Sequence, residues 1–457
     1  MQRHLKTHQI IVLILAVFAA VILGTNLGTK VLAFQTETYE KLKIFDEVLY
    51  LIQTNYVEEV NIQDLIYGGI NGMLKTLDPH SSFMPPDVYK EMQVETRGNF
   101  GGLGIQIGVK DDELTVIAPI DNTPAYRAGI LAGDKIVKIE DQSTKDMSLM
   151  DAVKLLRGPK GSQVKITIMR EGFDAPKEFV LTRDIIEIES VTSRMLMDKI
   201  GYVRLRQFQE NTATELETSL KSLEEQGVEA LVMDLRSNPG GLLNSAVEVA
   251  DKFLEKGKLI VYTEGRKSNQ DMRFVSHQEF THPDYPMVIL VNHGSASASE
   301  IVAGALQDHS RAILVGTQTY GKGSVQSVIP LSDNSGLRLT TAKYYTPSGR
   351  SIHEKGITPD IVIALDKPAA APQQAEDQAQ EVNSETPNGE EDDEEDVETP
   401  ANGNGKIDET VPEELPKENG ETDKDAATLE QFIKDDSQLE RAIDVLRGIL
   451  IFERRSI

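Results

Sequence analysis

Two apolar runs constrain this chain more than any other feature. Ala230-Leu231-Val232-Met233-Asp234-Leu235 and Met287-Val288-Ile289-Leu290-Val291 are nearly continuous in apolar residues, and a strand of that kind is covered on both faces. Each gives way to a turn of small residues and then to a helical period. The first helix runs through Val247, Val249 and Phe253, the second from Glu300 to Gln307. Alternation of strand, turn and helix predicts an α/β core over 187–365, a sheet covered by helices.

The rest of the chain sorts itself around that core. At 457 residues and about 150 residues per domain, three domains are expected. Leu42, Phe45, Val48, Leu49 and Ile52 recur at helical spacing, as do Leu65, Ile66, Ile70, Met73 and Leu74. They predict a helical N-terminal region over 36–97, interrupted at Asp78-Pro79 and Pro85-Pro86. Over 98–186 the pattern shortens to strands: Gly101 to Gly108, Leu114 to Ile117, Lys135 to Ile139, Val164 to Ile168 and Phe179 to Leu181. One short helix lies among them, Ser148 to Leu156, with Ser148 as its cap. The fold class is therefore multidomain α+β.

The net charge is −26, and residues 366 to 426 hold 21 acids and 4 bases, a net of −17. Such a segment buries no core, so 366–427 is expected to be a disordered acidic linker. The remainder is only mildly acidic and carries no basic stripe, which argues against nucleic acid as a partner. Helical periodicity returns over 428–457 at Leu439, Ala442, Ile443, Val445 and Leu446. That helix is expected to pack on the core or to serve self-association.

At the N-terminus, Arg3, His4, Lys6 and His8 precede an uncharged run from Ile10 to Leu23, closed by Gly24 to Gly28. Together with Val31-Leu32-Ala33 this fits a secretory signal peptide over 1–35. An uncleaved anchor is the other reading, because the run stretches towards Leu32. Either way the basic flank stays in the cytoplasm and the remainder is exported. The expected place is the periplasm, or the outer face of the inner membrane, of a bacterium.

Three turns carry the chemistry. In Gly294-Ser295-Ala296-Ser297-Ala298-Ser299-Glu300 a serine stands between a strand and a helix, where the Ala298 N–H faces any developing oxyanion. The plain alternative is a helix cap by Ser297 or Ser299. In Gly321-Lys322-Gly323-Ser324-Val325-Gln326 a lysine sits among apolar residues, Val325, Val328 and Ile329. Its amine acts as a base only if burial or a neighbour lowers its pKa. Gln326, four residues on, falls on the same side of a strand and is placed to hold that amine. A solvated loop charge is the alternative, whereas a phosphate loop is excluded by spacing. Asp234-Leu235-Arg236-Ser237-Asn238-Pro239-Gly240-Gly241 offers a second backbone N–H, with Arg236 or Asn238 bracing the loop; an ordinary strand-to-helix turn reads equally well.

Taken together, in that composition and order, these turns closely resemble the C-terminal processing (tail-specific) protease family. Its Leu-Arg-x-Asn-x-Gly-Gly, Ser-Ala-Ser-Ala-Ser-Glu and Gly-Lys-Gly-x-Val-Gln motifs are all present between residues 36 and 365. The resemblance implies a ClpP/crotonase-like core holding a Ser–Lys endopeptidase that works through an acyl-enzyme. The family interval of twenty-five residues selects Ser297 as nucleophile for Lys322. Gln326 is then the orienting partner, and the oxyanion hole combines Ala298 with Gly240 or Gly241. Segment 98–186 resembles a PDZ domain. There Leu103, Gly104 and Ile105 stand where a free C-terminal carboxylate is captured, and a peptide adds as a strand beside Gly104 to Gly108. Arg157 has two readings, a link between peptide docking and the protease core or charge compensation at a helix end.

The implied partners are protein or peptide substrates with free C-termini, an adaptor or regulatory protein, and further copies of the chain. No cofactor or metal is expected. The chain has no cysteine, which removes thiol nucleophiles and disulfides, and it lacks His-Glu-x-x-His. Other readings remain: a Ser–His pair using His293 or His309, a PDZ-bearing scaffold with a degenerate protease core, and an enoyl-hydratase-like enzyme, for which no coenzyme A motif is found.

Overall fold

The computed structural model describes residues 39–110, 113–145, 147–170, 172–267, 270–277, 282, 284–364 and 429–456. The expected signal or anchor segment 1–35 and the expected acidic linker 366–427 lie outside these residues. Among the described residues no helix is long and apolar enough to cross a membrane.

The chain forms two compact units. In the first, helix α1 covers residues 39–55. Helix α2, Ile62–Lys75, starts where the Asn61 side chain accepts the Gln63 N–H. A short strand, β1 (Ser82–Met84), pairs antiparallel with residues 336–338. The N-terminal region is helical as expected, and β1 lies between the interruptions at Asp78-Pro79 and Pro85-Pro86; three residues are too few to show a period, and their partner is remote in sequence. Tyr67 packs on Phe83 with ring centroids 4.6 Å apart, and its hydroxyl donates to Asp333.

The second unit begins with α3 (Pro86–Arg97), β2 (Asn99–Gly102), β3 (Ile105–Lys110) and β4 (Glu113–Pro119). A single-turn helix, α4 (Pro124–Arg127), leads to β5 (Lys135–Ile139) and β6 (Gln142–Ser143). Helix α5, Leu149–Leu156, is capped by Ser148 as expected, its hydroxyl accepting the Asp151 N–H at 3.2 Å. Strands β7 (Gln163–Met169), β8 (Lys177–Thr182) and β9 (Asp184–Glu187) follow. The sheet runs β3-β4-β5-β7-β8, so β3 is an edge strand, while β9 pairs with β2. Ile136, Ile139, Val164, Ile166, Ile168, Ala152 and Leu156 share one buried core.

The protease-like core then supplies β10 (Val191–Met195), β11 (Ile200–Leu205), α6 (Thr212–Glu225), β12 (Ala230–Asp234) and α7 (Leu243–Asp251). It continues with β13 (Leu259–Gly265), β14 (Met272–Val275), β15 (Met287–Val291), α8 (Ala298–Asp308) and β16 (Ile313–Gly316), then β17 (Ser324–Pro330), β18 (Gly336–Tyr345) and β19 (Ile361–Val362). The main sheet has the order β10-β11-β12-β15-β16-β19 and is parallel except for β10.

Successive residues on a strand face opposite ways, and here both faces are covered. Leu231, Met233, Met287, Ile289 and Val291 pack under α6, α7 and α8 with residues of β13, β17 and β18. Ala230, Val232, Val288 and Leu290 instead meet the closing segment, helices α9 (429–434) and α10 (Ser437–Ser456), through Ile433, Leu439, Ala442, Ile443 and Leu446. Of the two roles expected for that segment, packing on the core is the one observed.

Candidate active site

Strand β15 ends in a turn that opens helix α8, and three serines divide the labour there. The Ser295 hydroxyl donates to the Leu235 carbonyl at 2.7 Å and accepts the Asn292 N–H. The Ser299 hydroxyl donates to the Asn238 carbonyl at 2.9 Å. Both brace the turn. Ser297 alone of the three has a left-handed backbone, φ 57°, a conformation costly for a residue with a side chain and typical of functional turns. It stands at the N-terminus of α8, where helix N–H groups point at incoming negative charge.

Glu300 ties this turn to the lysine loop. Its side chain is fully buried, and Oε2 accepts the N–H of Ser297 at 2.8 Å and that of Lys322 at 2.9 Å. Oε1 accepts the Thr319 hydroxyl at 2.6 Å and the Gly321 N–H at 2.7 Å. One carboxylate oxygen thus holds the backbones of Ser297 and Lys322 side by side. Burial raises the Glu300 pKa against the pull of these four donors. The sequence carried a signal for half of this arrangement: Ser297-x-x-Glu300 has capping-box spacing. The bonds to residues 319, 321 and 322 are long-range and were missed.

The glycines around Lys322 are required by close approach. A Cβ on Gly323 would lie 2.1 Å from the His353 nitrogen, and Gly321 has φ 92°. The loop is fastened by Tyr320 N–H to Ser295 O and by Tyr344 N–H to Gly323 O. Lys322 is half-buried. Val325 is buried beside it in the chain, but Val328 and Ile329 are 38% and 41% exposed, so the expected apolar setting reduces to Val325. The expected bond from Gln326 to the lysine is not made. Its amide nitrogen donates to Ser324 and Thr340, and its oxygen is buried without a partner. The β17–β18 pairing, invisible in local sequence, draws that side chain across to Thr340.

The Asn-Pro-Gly-Gly turn lies against the serine. Asn238 is fully buried; its side chain donates to Leu205 O and accepts the Gly240 N–H at 2.9 Å, and its carbonyl accepts Ala296 N–H. A Cβ on Gly240 would sit 2.8 Å from Ser297 Cβ and 2.9 Å from Ala298 N. Only a glycine leaves that space open. Gly241, φ 145°, passes as closely against Phe208. Arg236 is fully buried between Asp234 and Asp436. Burial would raise the Asp234 pKa, but the Arg236 charge holds it below its ordinary range.

Among the described residues neither histidine is bonded to Ser297. His309 is the residue after α8 and its Nε2 meets Leu259 O, which puts it one helix length, about 16 Å, from Ser297. His293 is exposed and packs its ring on Tyr320. Among the described residues no cluster could hold a metal ion.

In the β3–α5 domain, Leu103, Gly104 and Ile105 open a groove continued by Ile107, Val153 and Leu156. Gly104 has φ 74°, and its carbonyl accepts the Thr123 hydroxyl. Arg157 lies over Phe100 at 4.4 Å and pairs with Glu91 on α3. It is thus one wall of the groove and does more than compensate a helix end.

Comparison with known proteins finds three family matches along the chain. The model for peptidase family S41 matches residues 199–363, a PDZ domain matches 115–170, and the activating protease CtpB N-terminal domain matches 25–88. A carboxy-terminal-processing protease of Bartonella bacilliformis is 48% identical over 333 residues, covering 72% of this chain and 76% of the relative. The carboxy-terminal processing protease CtpA of Bacillus subtilis is 35% identical over 380 residues, 81% and 80%. Among solved structures, a photosystem II D1 C-terminal processing protease covers 70% of this chain and 92% of its own, at 31% identity and a TM-score of 0.41. With the match to S41 peptidases the enoyl-hydratase alternative falls away. The chain belongs to the carboxy-terminal-processing proteases of peptidase family S41, serine-type enzymes that act on protein or peptide substrates.

Proposed function

We propose that Ser297 is the nucleophile and Lys322 the general base of this peptidase, and that the PDZ domain delivers substrate C-termini to them. The carrying observation is the shared Glu300 oxygen, which holds both backbones in one place. The neutral Lys322 amine takes the Ser297 proton as Oγ attacks the scissile carbonyl, and the oxyanion is received by Ala298 N–H. Gly240 already donates to Asn238, which leaves the Gly241 amide as the second donor. Collapse of the intermediate expels the amine, which takes the proton from Lys322. Water, deprotonated by the regenerated Lys322 amine, then attacks the acyl-enzyme, and Ser297 Oγ leaves with the proton returned by Lys322. The buried Gln326 oxygen without a partner is an acceptor for the ammonium formed in each half-reaction.

The groove supports capture of a tail by strand addition, because β3 is an edge strand beside an apolar channel. Export is part of the same proposal, resting on the basic flank and apolar run of residues 3–23. Cleavage of one unfolded substrate with a free and with an amidated C-terminus tests delivery. Faster cleavage of the free form is expected; equal rates would remove the PDZ domain from the reading. Lys322→Ala is expected to be folded and inactive.

A further inference from the structure

We propose that Asp436, brought in by the C-terminal segment, is a positioning residue for acyl transfer that acts through Arg236 on the turn beside Ser297. Arginine presents five N–H donors in a rigid fork, and every arm of the Arg236 fork is engaged. Nε and one terminal nitrogen bond Asp234 at 3.0 and 2.6 Å. The two terminal nitrogens bond the two oxygens of Asp436 at 2.9 and 2.8 Å, and Gln438 takes a further bond at 3.1 Å. Arg236, Asp234, Asp436 and Gln438 are all buried. A bidentate guanidinium–carboxylate pair fixes direction as well as distance.

What Arg236 fixes is the entry to the Asn-Pro-Gly-Gly turn. Ser237, Gly240 and Gly241 all have positive φ, so this stretch has no regular backbone ladder of its own and depends on what holds its ends. Two residues after Arg236, Asn238 receives Ala296 N–H and the Ser299 hydroxyl on its carbonyl and Gly240 N–H on its side chain. A tilt of the guanidinium is thereby passed to the space between Gly240 and Ala298. Asp436 also caps α10, accepting Leu439 N–H at 3.0 Å. One carboxylate therefore couples the closing helix to the acyl site.

This rests on the reading of the Gly240 turn as the oxyanion side of Ser297. The test compares full-length parent, Asp436→Ala and Asp436→Asn for kcat, KM, tail-peptide binding by the PDZ domain and the rate of Ser297 phosphonylation, each per folded molecule. A misplacement of about 1 Å costs up to about a hundredfold in rate. Asp436→Ala is thus expected to lower kcat and phosphonylation together by about tenfold to a hundredfold, with KM and tail binding unchanged. Asp436→Asn, which keeps the helix cap and one bond to Arg236, falls between. Turnover per folded molecule matching the parent in both variants would overturn the proposal and leave Asp436 as a helix anchor. If Asp436→Ala does not fold, Asp436→Asn decides by the same criterion. Ser297→Ala, run alongside, separates the two layers: turnover surviving there removes the acyl-site reading itself, whatever Asp436 does.

Discussion

Around Ser297 most polar groups are buried and paired, whereas the PDZ groove is lined mainly by apolar side chains beside the edge strand β3. Glu300 meets four donors and Asn238 engages both ends of its amide. Ile105, Ile107, Val153 and Leu156 offer only surface. The difference fits the two tasks proposed for them. Acyl transfer needs atoms held to within a fraction of an ångström. Capture of many tails needs backbone pairing, which ignores sequence, and a pocket that tolerates different apolar ends.

Substitutions at the two side chains proposed for catalysis should separate the regions most sharply. Glu300 is bonded to the backbone N–H groups of Ser297 and Lys322, so Ser297→Ala and Lys322→Ala keep those bonds and should fold normally. Peptidase turnover is expected to fall about 10⁴-fold or more in each, with tail-peptide binding by the PDZ domain unchanged. Loss of binding in parallel would break the comparison.

Glu300→Gln comes next. An amide nitrogen in place of Oε2 strands the N–H groups of Ser297 and Lys322, and in place of Oε1 it strands that of Gly321 while the Thr319 hydroxyl turns to accept, at a cost of about 1–4 kcal/mol in stability. Turnover is expected to drop about a hundredfold or more, and thermal unfolding measured beside kcat checks both effects. In the groove, Val153→Asp should act the other way. A charge in the apolar channel is expected to raise KM for a tailed substrate about tenfold while kcat holds. A fall in kcat at constant KM would mean that the groove does more than capture.

The same contrast explains what could be read from sequence. The core strands, α8, the PDZ strands and the Ser148 cap are local patterns, and they emerge from period, turn residues and caps. The Ser297–Lys322 pairing is legible only through the twenty-five-residue interval that the family resemblance implies. What escaped is long-range. Glu300 closes on Lys322, Gln326 turns to Thr340, β1 pairs with 336–338, and Asp436 reaches Arg236 from two hundred residues away. No helical or strand period links the two halves of any of these contacts.

A third polar cluster gives the smallest effect and serves as a control. Glu217 on α6 is held by Lys252 at 2.7 Å, Lys221 at 3.0 Å and His282 at 3.1 Å, in the helical layer outside both functional regions. Burial would raise its pKa, but the bonds to Lys252, Lys221 and His282 bring it down to about 2 from 4.5. A carboxyl lowered on folding stabilises the folded state above its unfolded pKa and loses that contribution as pH falls through the folded one. The parent should therefore lose thermal stability between about pH 4.5 and pH 2, and Glu217→Gln should flatten that part of the profile. At neutral pH the variant should keep the parent's kcat and tail binding, because the cluster touches neither Ser297 nor the groove. A changed kcat at neutral pH would show that pairing of buried polar groups matters to turnover well beyond the serine turn.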